Sequence, residues 1–347
     1  MLDFLNLGVI PPKFNETHII LIPKVKSPQK ITKYRPIILS NVVSMIASKV
    51  LASRLKVVLP TIISKNHSAF MTNRLILDNI LVAFEVMNHI SWKRGGLVGE
   101  MALKLDISRM YDIVEWGGLE QIMIRMGFHS RWIKIIMQCL SFVTHSIQIN
   151  GVPQGHITPT RSLCQGDPLF PYLFLLCAKG LSSLIRKVTI EDMIHGISIC
   201  RQGPQLSHLF FADDSLLFYQ ATSAECEKLM RVLQVYELST SQQLNWKNTS
   251  LFFSSNTPPH TQEHIKQLFE AEVIKQHEIY LGLPSLVGRS KRNTFQQLKE
   301  RLANKFSEWK EKLLSNVDKG VLIQAVAQAI PAHTMSCFLL PKICVMR

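Results

Sequence analysis

The sequence lacks the long apolar stretches and leader signals of membrane and secreted proteins. No continuous run reaches the roughly 18 apolar residues of a transmembrane helix. The amino terminus has an early acidic residue, Asp3, and no basic lead-in, so it does not predict a secretory signal. Internal repeats and low-complexity tracts are also missing, while 47% of the 347 residues are hydrophobic. That content excludes a disordered chain and predicts a globular protein of two or three domains or subdomains.

The seven cysteines include no Cys-x-x-Cys pair. Most of them lie in apolar surroundings, where a free cysteine behaves as a small hydrophobic residue. We therefore expect neither a zinc site nor a disulfide framework. Reduced thiols indicate a protein of the cytoplasm or the nucleus. Because no transmembrane segment is predicted, no membrane contact is expected.

Acidic residues are missing from residues 17–77, which carry ten Lys or Arg. Over the whole chain the formal net charge is +14 and the pI is near 9.5. This balance predicts a polyanionic partner, and an anionic membrane surface is the alternative. Apolar stretches interrupt the basic segment and predict that it folds, with strands over 18–23 and 34–39 and a helix over 42–59.

The sequence from His208 to Tyr219 places two adjacent acidic residues between apolar runs. This pattern predicts a β-hairpin with Asp213 and Asp214 at its turn. Adjacent carboxylates repel each other, and a divalent cation relieves the repulsion; their hard oxygen ligands favour Mg²⁺ or Mn²⁺. Asp213 is the firmer metal ligand of the two, because successive side chains of a strand point to opposite faces.

A second predicted strand, over 102–106, ends in another acidic residue, Asp106. If both strands belong to one sheet, three carboxylates can hold two metal ions roughly 3.5 to 4 Å apart, the arrangement used for phosphoryl transfer. Nucleotide polymerisation needs that chemistry. A palm-type nucleotide cyclase uses a similar set of carboxylates and is the alternative enzyme.

Four ordered sequence blocks resemble the reverse transcriptase of plant LINE-type (non-LTR) retrotransposons. They read KLDISRMYDIVEW, QGDPLFPYLFLLCAKGLS, FFADDSLLF and YLGLPSLVGRSK. The resemblance implies an α/β right-hand polymerase fold, with fingers over 14–100, a palm with interleaved fingers segments over 101–285 and a helical, thumb-like region over 286–340.

The same resemblance implies an RNA-directed DNA polymerase that adds deoxynucleoside triphosphates to the 3′-hydroxyl of a DNA primer on an RNA template. Asp106, Asp213 and Asp214 would be its catalytic residues and would hold Mg²⁺ (or Mn²⁺). A basic thumb has no use in a cyclase, so the cyclase alternative is disfavoured. Nothing in the sequence predicts a protein partner.

The resemblance also assigns residues to the incoming nucleotide. Lys24 and Arg35 match fingers residues that hold the triphosphate, which suits a hairpin with one cation at each lip; contact with template phosphate is the alternative. Tyr111 matches the steric gate that excludes a 2′-hydroxyl, although an ordinary packed aromatic explains it too. Gln165 and Gly166 match the floor under the nascent base pair, and a plain capping turn explains the same letters.

Other residues are expected to contact nucleic acid. Arg74 lies in a block that the family places along the template, whereas we expect a structural role for His67. Residues Tyr280, Leu281 and Gly282 match the primer grip; without the resemblance, they predict an edge strand. The amphipathic helix predicted over 289–312 has one basic face, which fits phosphate contacts along a duplex or, as a weaker alternative, an anionic lipid surface. Its candidate residues are Lys291, Arg292, Lys299 and Lys305.

The sequence departs from the family pattern at several positions. Cys164 stands where the family usually has Arg, and Met110 and Phe170 replace small residues, so overpacking of roughly 1 to 3 kcal/mol is expected. The endonuclease, zinc-binding and ribonuclease H regions of such elements are not found in the sequence. We therefore expect a truncated, partly degenerate copy, and the alternative function is a catalytically inactive remnant that binds nucleic acid only.

Overall fold

The protein folds into small β-sheets surrounded by helices. The computed structural model describes residues 15–106, 114–161, 166–240, 244–274, 279–287, 294–310 and 314–340. The strands in this part of the chain are β1 (Glu16–Pro23), β2 (Tyr34–Ser40), β3 (Glu100–Asp106), β4 (Thr144–Ile149), β5 (Val152–Ile157), β6 (His208–Phe211), β7 (Asp214–Gln220), β8 (Ser250–Phe253), β9 (Glu272–Val273), β10 (Ile279–Tyr280) and β11 (Leu283–Pro284).

Ten α-helices accompany these strands within the described residues. They are α1 (Val42–Ile62), α2 (Ile76–Trp92), α3 (Trp116–Arg125), α4 (Ser130–Ser141), α5 (Phe170–Ile190), α6 (Ser223–Thr240), α7 (Pro259–Phe269), α8 (Gln296–Lys310), α9 (Asn316–Leu322) and α10 (Ala329–Met335). None of the described helices is both long and apolar enough to cross a membrane.

The first sheet has four strands in the order β2-β1-β4-β5. Strands β1 and β2 form the predicted antiparallel hairpin, and β1 pairs on its other side with β4 in parallel. Asn150 and Gly151 connect β4 to β5, both with positive φ, as the favoured Asn-Gly turn requires. A segment far along the chain therefore completes the sheet that the basic amino-terminal hairpin begins.

The second sheet carries the acidic residues and has five strands in the order β6-β7-β3-β8-β9. Its two faces pack in separate clusters because side chains alternate along each strand. One face, with Leu103 and Leu217, packs in the larger core with helices such as α5 and α6. The other face, with Leu216 and Phe218, packs against α2 and the β10–β11 hairpin. The five-stranded sheet thus packs against the larger apolar cluster on one face and against a smaller one on the other.

A carboxylate lies at the start of helix α5, which begins at Phe170. The N–H group of Leu169 donates a 2.8 Å hydrogen bond to the Asp167 carboxylate, so Asp167 satisfies one of the first free amides of the helix. Phe170 itself is buried and lines a cavity of about 20 Å³, so its bulk is accommodated without filling the space around it. Met110 and Cys164 lie outside the described residues.

Cysteine usage agrees with the sequence prediction for the five cysteines that the structure describes. All five are free, and Cys139, Cys177 and Cys226 are buried. Burial raises the pKa of each of these three thiols to about 12, so they stay protonated and behave as core residues.

The described carboxyl-terminal region is helical. A π-helical segment over Ile323–Ala327 lies between α9 and α10. Helix α8 follows the predicted amphipathic pattern, with Phe306 and Trp309 in edge-to-face contact. Helix α7 and strand β9 were not predicted, because α7 contains few apolar residues and β9 is only two residues long.

Candidate active site

The acidic pair lies at the tip of the β6–β7 hairpin, as predicted. Phe211 and Asp214 are the last paired residues, so Ala212 and Asp213 form a two-residue turn. Ala212 has a φ of 50°, the left-handed value that a type II′ turn requires at its first central position. Asp213 is exposed and Asp214 half-buried. The turn therefore presents one carboxylate to solvent and begins strand β7 with the other.

Asp106 ends strand β3 directly opposite the acidic hairpin. Strands β3 and β7 pair antiparallel over seven residue pairs, from Glu100 with Gln220 to Asp106 with Asp214. Directly opposed positions of an antiparallel pair lie on the same face, about 4.5 to 5.5 Å apart. The prediction that the two acidic strands are neighbours in one sheet is therefore confirmed by the backbone pairing. The side chain of Asp106 lies outside the described part of the structure.

The donor set suits a divalent cation by its chemistry. Three carboxylate residues gather at one end of two paired strands, and oxygen ligands are those that Mg²⁺ and Mn²⁺ prefer. Among the side chains that the structure describes, no group of three His, Cys, Asp or Glu is close enough to hold a metal ion. A complete set therefore needs the carboxylate of Asp106.

A loop before α2 supports the strand that leads into the acidic turn. The Asn66 carbonyl accepts from the N–H of Phe210, and the Phe210 carbonyl accepts from the N–H of Ser68 at 3.2 Å. Asn79 on α2 also donates to the Phe210 carbonyl, at 3.1 Å, and accepts from the Ser68 hydroxyl at 2.8 Å. Asn79 was not among the predicted site residues. No local signal in the sequence marked it, because its contacts with Ser68 and Phe210 depend on the fold.

The Arg74 side chain stabilises the same loop by hydrogen bonds to backbone carbonyl groups. Its guanidinium donates hydrogen bonds to three carbonyl groups, those of Ile63, Ser64 and His67. Burial lowers the pKa of the half-buried guanidinium. These contacts favour a structural role for Arg74 over the predicted contact with nucleic acid.

Two buried histidines lie beside this loop. His67 contacts the rings of Phe174 and Phe210 edge-on, and desolvation lowers its pKa to about 3. His208 hydrogen-bonds Ser182 and Ser207, both at 2.9 Å, and burial lowers its pKa to about 4. Both are therefore neutral at physiological pH, which agrees with the structural role expected for His67.

The segment predicted to grip the primer is a tight hairpin, not an edge strand. Strands β10 and β11 are joined by Leu281 and Gly282, with φ of 51° and 79°. The Lys104 ammonium donates to the Ile279 carbonyl at 2.7 Å. The Tyr280 side chain is only 2% exposed. Its ring is not available to nucleic acid, so a primer contact of this hairpin falls to the exposed turn.

The two basic residues predicted to bind the triphosphate lie on one face of the β1–β2 hairpin. Arg35 pairs with Ile22, and the N–H of Lys24 bonds the carbonyl of Lys33, so Lys24 and Arg35 are diagonal neighbours two positions apart. Both side chains are exposed. The hairpin therefore presents the two cations together to solvent.

The remaining candidate residues are only partly described. Gly166 has a φ of 111°, and a Cβ there would lie 3.2 Å from the Ile38 carbonyl of β2, so the absence of a side chain permits this close approach. Lys299 and Lys305 are exposed on α8. The other predicted positions lie outside the described residues: Tyr111, Gln165, Lys291 and Arg292.

Comparison with known proteins identifies the family. A family model described as "Reverse transcriptase (RNA-dependent DNA polymerase)" matches residues 22–284, from the basic hairpin through β11. The chain belongs to the reverse transcriptase family. The family assignment made from the four sequence blocks is thereby confirmed.

Two relatives illustrate the match in sequence. A retrovirus-related Pol polyprotein from a type-1 retrotransposable element of Popillia japonica is 26% identical over 221 residues, which cover 60% of this chain and 28% of that protein. An uncharacterised mitochondrial protein of Arabidopsis thaliana is 51% identical over 67 residues, covering 19% of this chain and 55% of that protein. The chain thus spans about half or less of these relatives.

The solved structure confirms the right-hand fold class. Telomerase from Candida albicans, in complex with a fragment of telomeric RNA, aligns over 94% of this chain and 56% of its own, with a TM-score of 0.51 and 11% identity. At that identity the likeness concerns the fold alone. The reverse transcriptase fold of the present chain is therefore of the right-hand type, with its acidic residues on the palm sheet.

Proposed function

We propose that the chain is the polymerase core of a LINE-type (non-LTR) retrotransposon protein and acts as an RNA-directed DNA polymerase. It would add deoxynucleoside triphosphates to a DNA primer 3′-hydroxyl on an RNA template. The observation that carries this proposal is the pairing of Asp106 with Asp214 at the end of β3 and β7, one residue from Asp213. Family membership supports the same chemistry.

Asp106, Asp213 and Asp214 would hold the divalent cations, Mg²⁺ or Mn²⁺, that reverse transcriptases generally use. Two cations bound between such carboxylates stabilise the attacking and leaving oxygens of an in-line phosphoryl transfer. The exposure of Asp213 leaves its carboxylate accessible to a nucleotide-bound cation. Asp214, half-buried at the start of β7, is the more restrained of the pair.

The basic residues would order the substrates around this centre. Lys24 and Arg35 would bind the triphosphate, Arg35 through its two-pronged guanidinium and Lys24 as a point charge. The turn at Leu281 and Gly282 would support the primer end, and Lys299 and Lys305 would contact duplex phosphates. The proposed nucleotide-floor role of Gly166 rests on its close approach to β2.

The test is primer extension on poly(rA) with an oligo(dT) primer, with Mg²⁺ and with Mn²⁺. We expect the wild-type protein to extend the primer and Asp213→Asn to lose at least about 100-fold in rate, because the isosteric amide removes a metal-binding charge. Glu227→Gln is the matched control, since it makes the same change at an exposed position of α6. Equal activity of wild type and Asp213→Asn would refute the proposal.

The alternative is an inactive protein that binds nucleic acid only. It predicts retention of an RNA–DNA duplex on a gel without extension under any metal condition. The two functions are therefore separated by measuring binding and extension on the same preparation of wild-type protein.

A further inference from the structure

A buried tyrosine hydroxyl lies behind the acidic turn and lacks a partner. Tyr280 is 2% exposed, and its hydroxyl makes no hydrogen bond of acceptable geometry to the described part of the chain. A buried polar group without a partner costs free energy, so its surroundings are of interest. For Tyr280 these surroundings include the acidic turn.

Strand geometry places Tyr280 against the face of the palm sheet that carries Asp214. Positions 214, 216 and 218 alternate along β7 onto one face. Leu216 and Phe218 pack with Tyr280 in a single buried cluster. Burial raises the pKa of the Tyr280 hydroxyl above its ordinary value of 10, and the nearby charge of Asp214 raises this pKa further. The Tyr280 ring therefore packs on the face of the sheet on which strand alternation places Asp214.

Asn79 links this hydroxyl to the strand that leads into the acidic turn. The Asn79 side chain lies beside the Tyr280 hydroxyl and lowers its pKa, which partly opposes the effect of burial. The same Asn79 donates to the Phe210 carbonyl and accepts from Ser68. One α2 side chain thus contacts strand β6 and neighbours the tyrosine.

The β10–β11 hairpin that carries Tyr280 is held on both sides of that residue. The Lys104 ammonium bonds the Ile279 carbonyl at 2.7 Å, and the His333 Nε2 lies 3.2 Å from the Leu281 carbonyl. These two hydrogen bonds restrain the backbone on either side of Tyr280 relative to β3 and α10. A side chain whose backbone is already restrained loses less conformational entropy when it forms a hydrogen bond to a carboxylate.

We propose that Tyr280 is a positioning residue for Asp214, supported by Asn79. This inference rests on the proposed polymerase function. In this role the hydroxyl donates a hydrogen bond to one oxygen of Asp214 and leaves the other oxygen for the divalent cation. Hydrogen bonds from outside a metal site orient its ligands, and their loss typically costs about 10- to 100-fold in metal affinity or activity.

The chain offers a matched control for removal of this hydroxyl. Tyr219 is 1% exposed, also has a buried hydroxyl without a hydrogen-bond partner, and lies on β7 itself. It packs on the opposite face of the sheet, in the larger core. Tyr219→Phe and Tyr280→Phe therefore delete the same atom from equally buried rings, but only Tyr280 faces the acidic turn.

The experiment measures Mn²⁺ binding directly, without nucleotide or nucleic acid. Free Mn²⁺ is followed by electron paramagnetic resonance during titration of wild type, Tyr280→Phe and Tyr219→Phe. We expect the dissociation constant to rise about tenfold or more in Tyr280→Phe and to stay at the wild-type value in Tyr219→Phe. Melting temperatures without metal verify that both variants fold, and the Mn²⁺-induced rise should be reduced only in Tyr280→Phe.

The outcomes separate this inference from the function on which it rests. Wild type that binds Mn²⁺ and extends primers, with Tyr280→Phe and Tyr219→Phe indistinguishable in Mn²⁺ affinity, overturns the positioning role and leaves the polymerase intact. The same holds if both variants lose affinity equally, because general loosening of the sheet then explains the loss. Wild type that neither binds Mn²⁺ nor extends primers overturns both proposals.

Discussion

Ser48 on α1 donates a 2.8 Å hydrogen bond to the carboxylate of Asp167, and this contact joins the first long helix to the start of α5. The second oxygen of Asp167 accepts from the N–H of Leu169. Desolvation nevertheless raises the pKa of Asp167 above its ordinary value of 3.8, and the two hydrogen bonds only partly oppose this shift. The carboxylate therefore connects two parts of the fold at an electrostatic cost.

That cost predicts a pH dependence of the free energy of unfolding. Because the folded pKa of Asp167 is raised, the folded protein retains a proton that the unfolded chain releases, so its stability contribution falls as pH rises from about 3.8 to the raised pKa. Asp167→Asn should remove this loss. Urea unfolding of both proteins from about pH 4 to pH 7 should show a stability difference that moves in favour of the variant and then levels. A pH-independent difference would contradict the assignment.

The two buried histidines predict acid sensitivity of the opposite sign. Their lowered pKa values, about 3 for His67 and about 4 for His208, mean that the unfolded chain binds protons that the folded protein excludes. Stability should fall as pH drops below 6.5, by about 1.4 kcal/mol per pH unit for each histidine. His208→Gln should reduce the measured slope by about half of the two-histidine contribution, whereas His260→Gln at an exposed site should leave it unchanged. Equal slopes in all three proteins would exclude this explanation.

Substitution of Arg74 can distinguish a structural role of this residue from a contact with nucleic acid. A lysine cannot serve three carbonyl groups with a planar fork, so Arg74→Lys should lower the free energy of unfolding by about 1.5 to 3 kcal/mol. Urea unfolding measures this loss, with exposed Lys65→Gln as the control. Arg74→Gln, which removes the positive charge, should leave the salt dependence of duplex affinity unchanged in the folded protein. A reduced salt slope in Arg74→Gln would instead support the contact with nucleic acid predicted from the family.

Three glycines allow backbone strain to be separated from steric contact. Gly282→Ala meets no neighbouring atom, so it should lose about 1 kcal/mol from its φ of 79° alone. Gly166→Ala adds a Cβ 3.2 Å from a β2 carbonyl and should lose more. Gly117→Ala, in open space within α3, should gain about 0.5 to 1 kcal/mol. Denaturant midpoints of the three variants test this order, and a reversed order would refute it.

The sequence anticipated the local elements of the site better than its long-range contacts. Alternating apolar residues around Asp213 and Asp214 specify a hairpin, because a strand has a period of two residues and the acidic pair has to leave the core. The pairing with Asp106 was inferred by family resemblance and chemistry. No local pattern encodes which distant strand lies next to β7.

Tyr280 shows the corresponding limit for single residues. Its place in the primer-grip block suggested contact with nucleic acid, yet the ring is buried and packs with Leu216 and Phe218 of β7. Burial depends on how β10 packs on the distant β7, which local sequence does not report. Asn79 was missed for the same reason, since its partners Ser68 and Phe210 come from two other segments.

The parallel contact between β1 and β4 determines the order in which the protein can assemble. Strand β1 is made early in synthesis, but its second neighbour follows only after the palm strand β3 and helices α1 to α4. Until Thr144–Ile149 emerges from the ribosome, the amino-terminal hairpin has an open edge that can pair with another copy. Shortened products that end before β4 would therefore leave this edge exposed, and mutual repulsion between the ten positive charges of residues 17–77 would oppose its pairing with another copy.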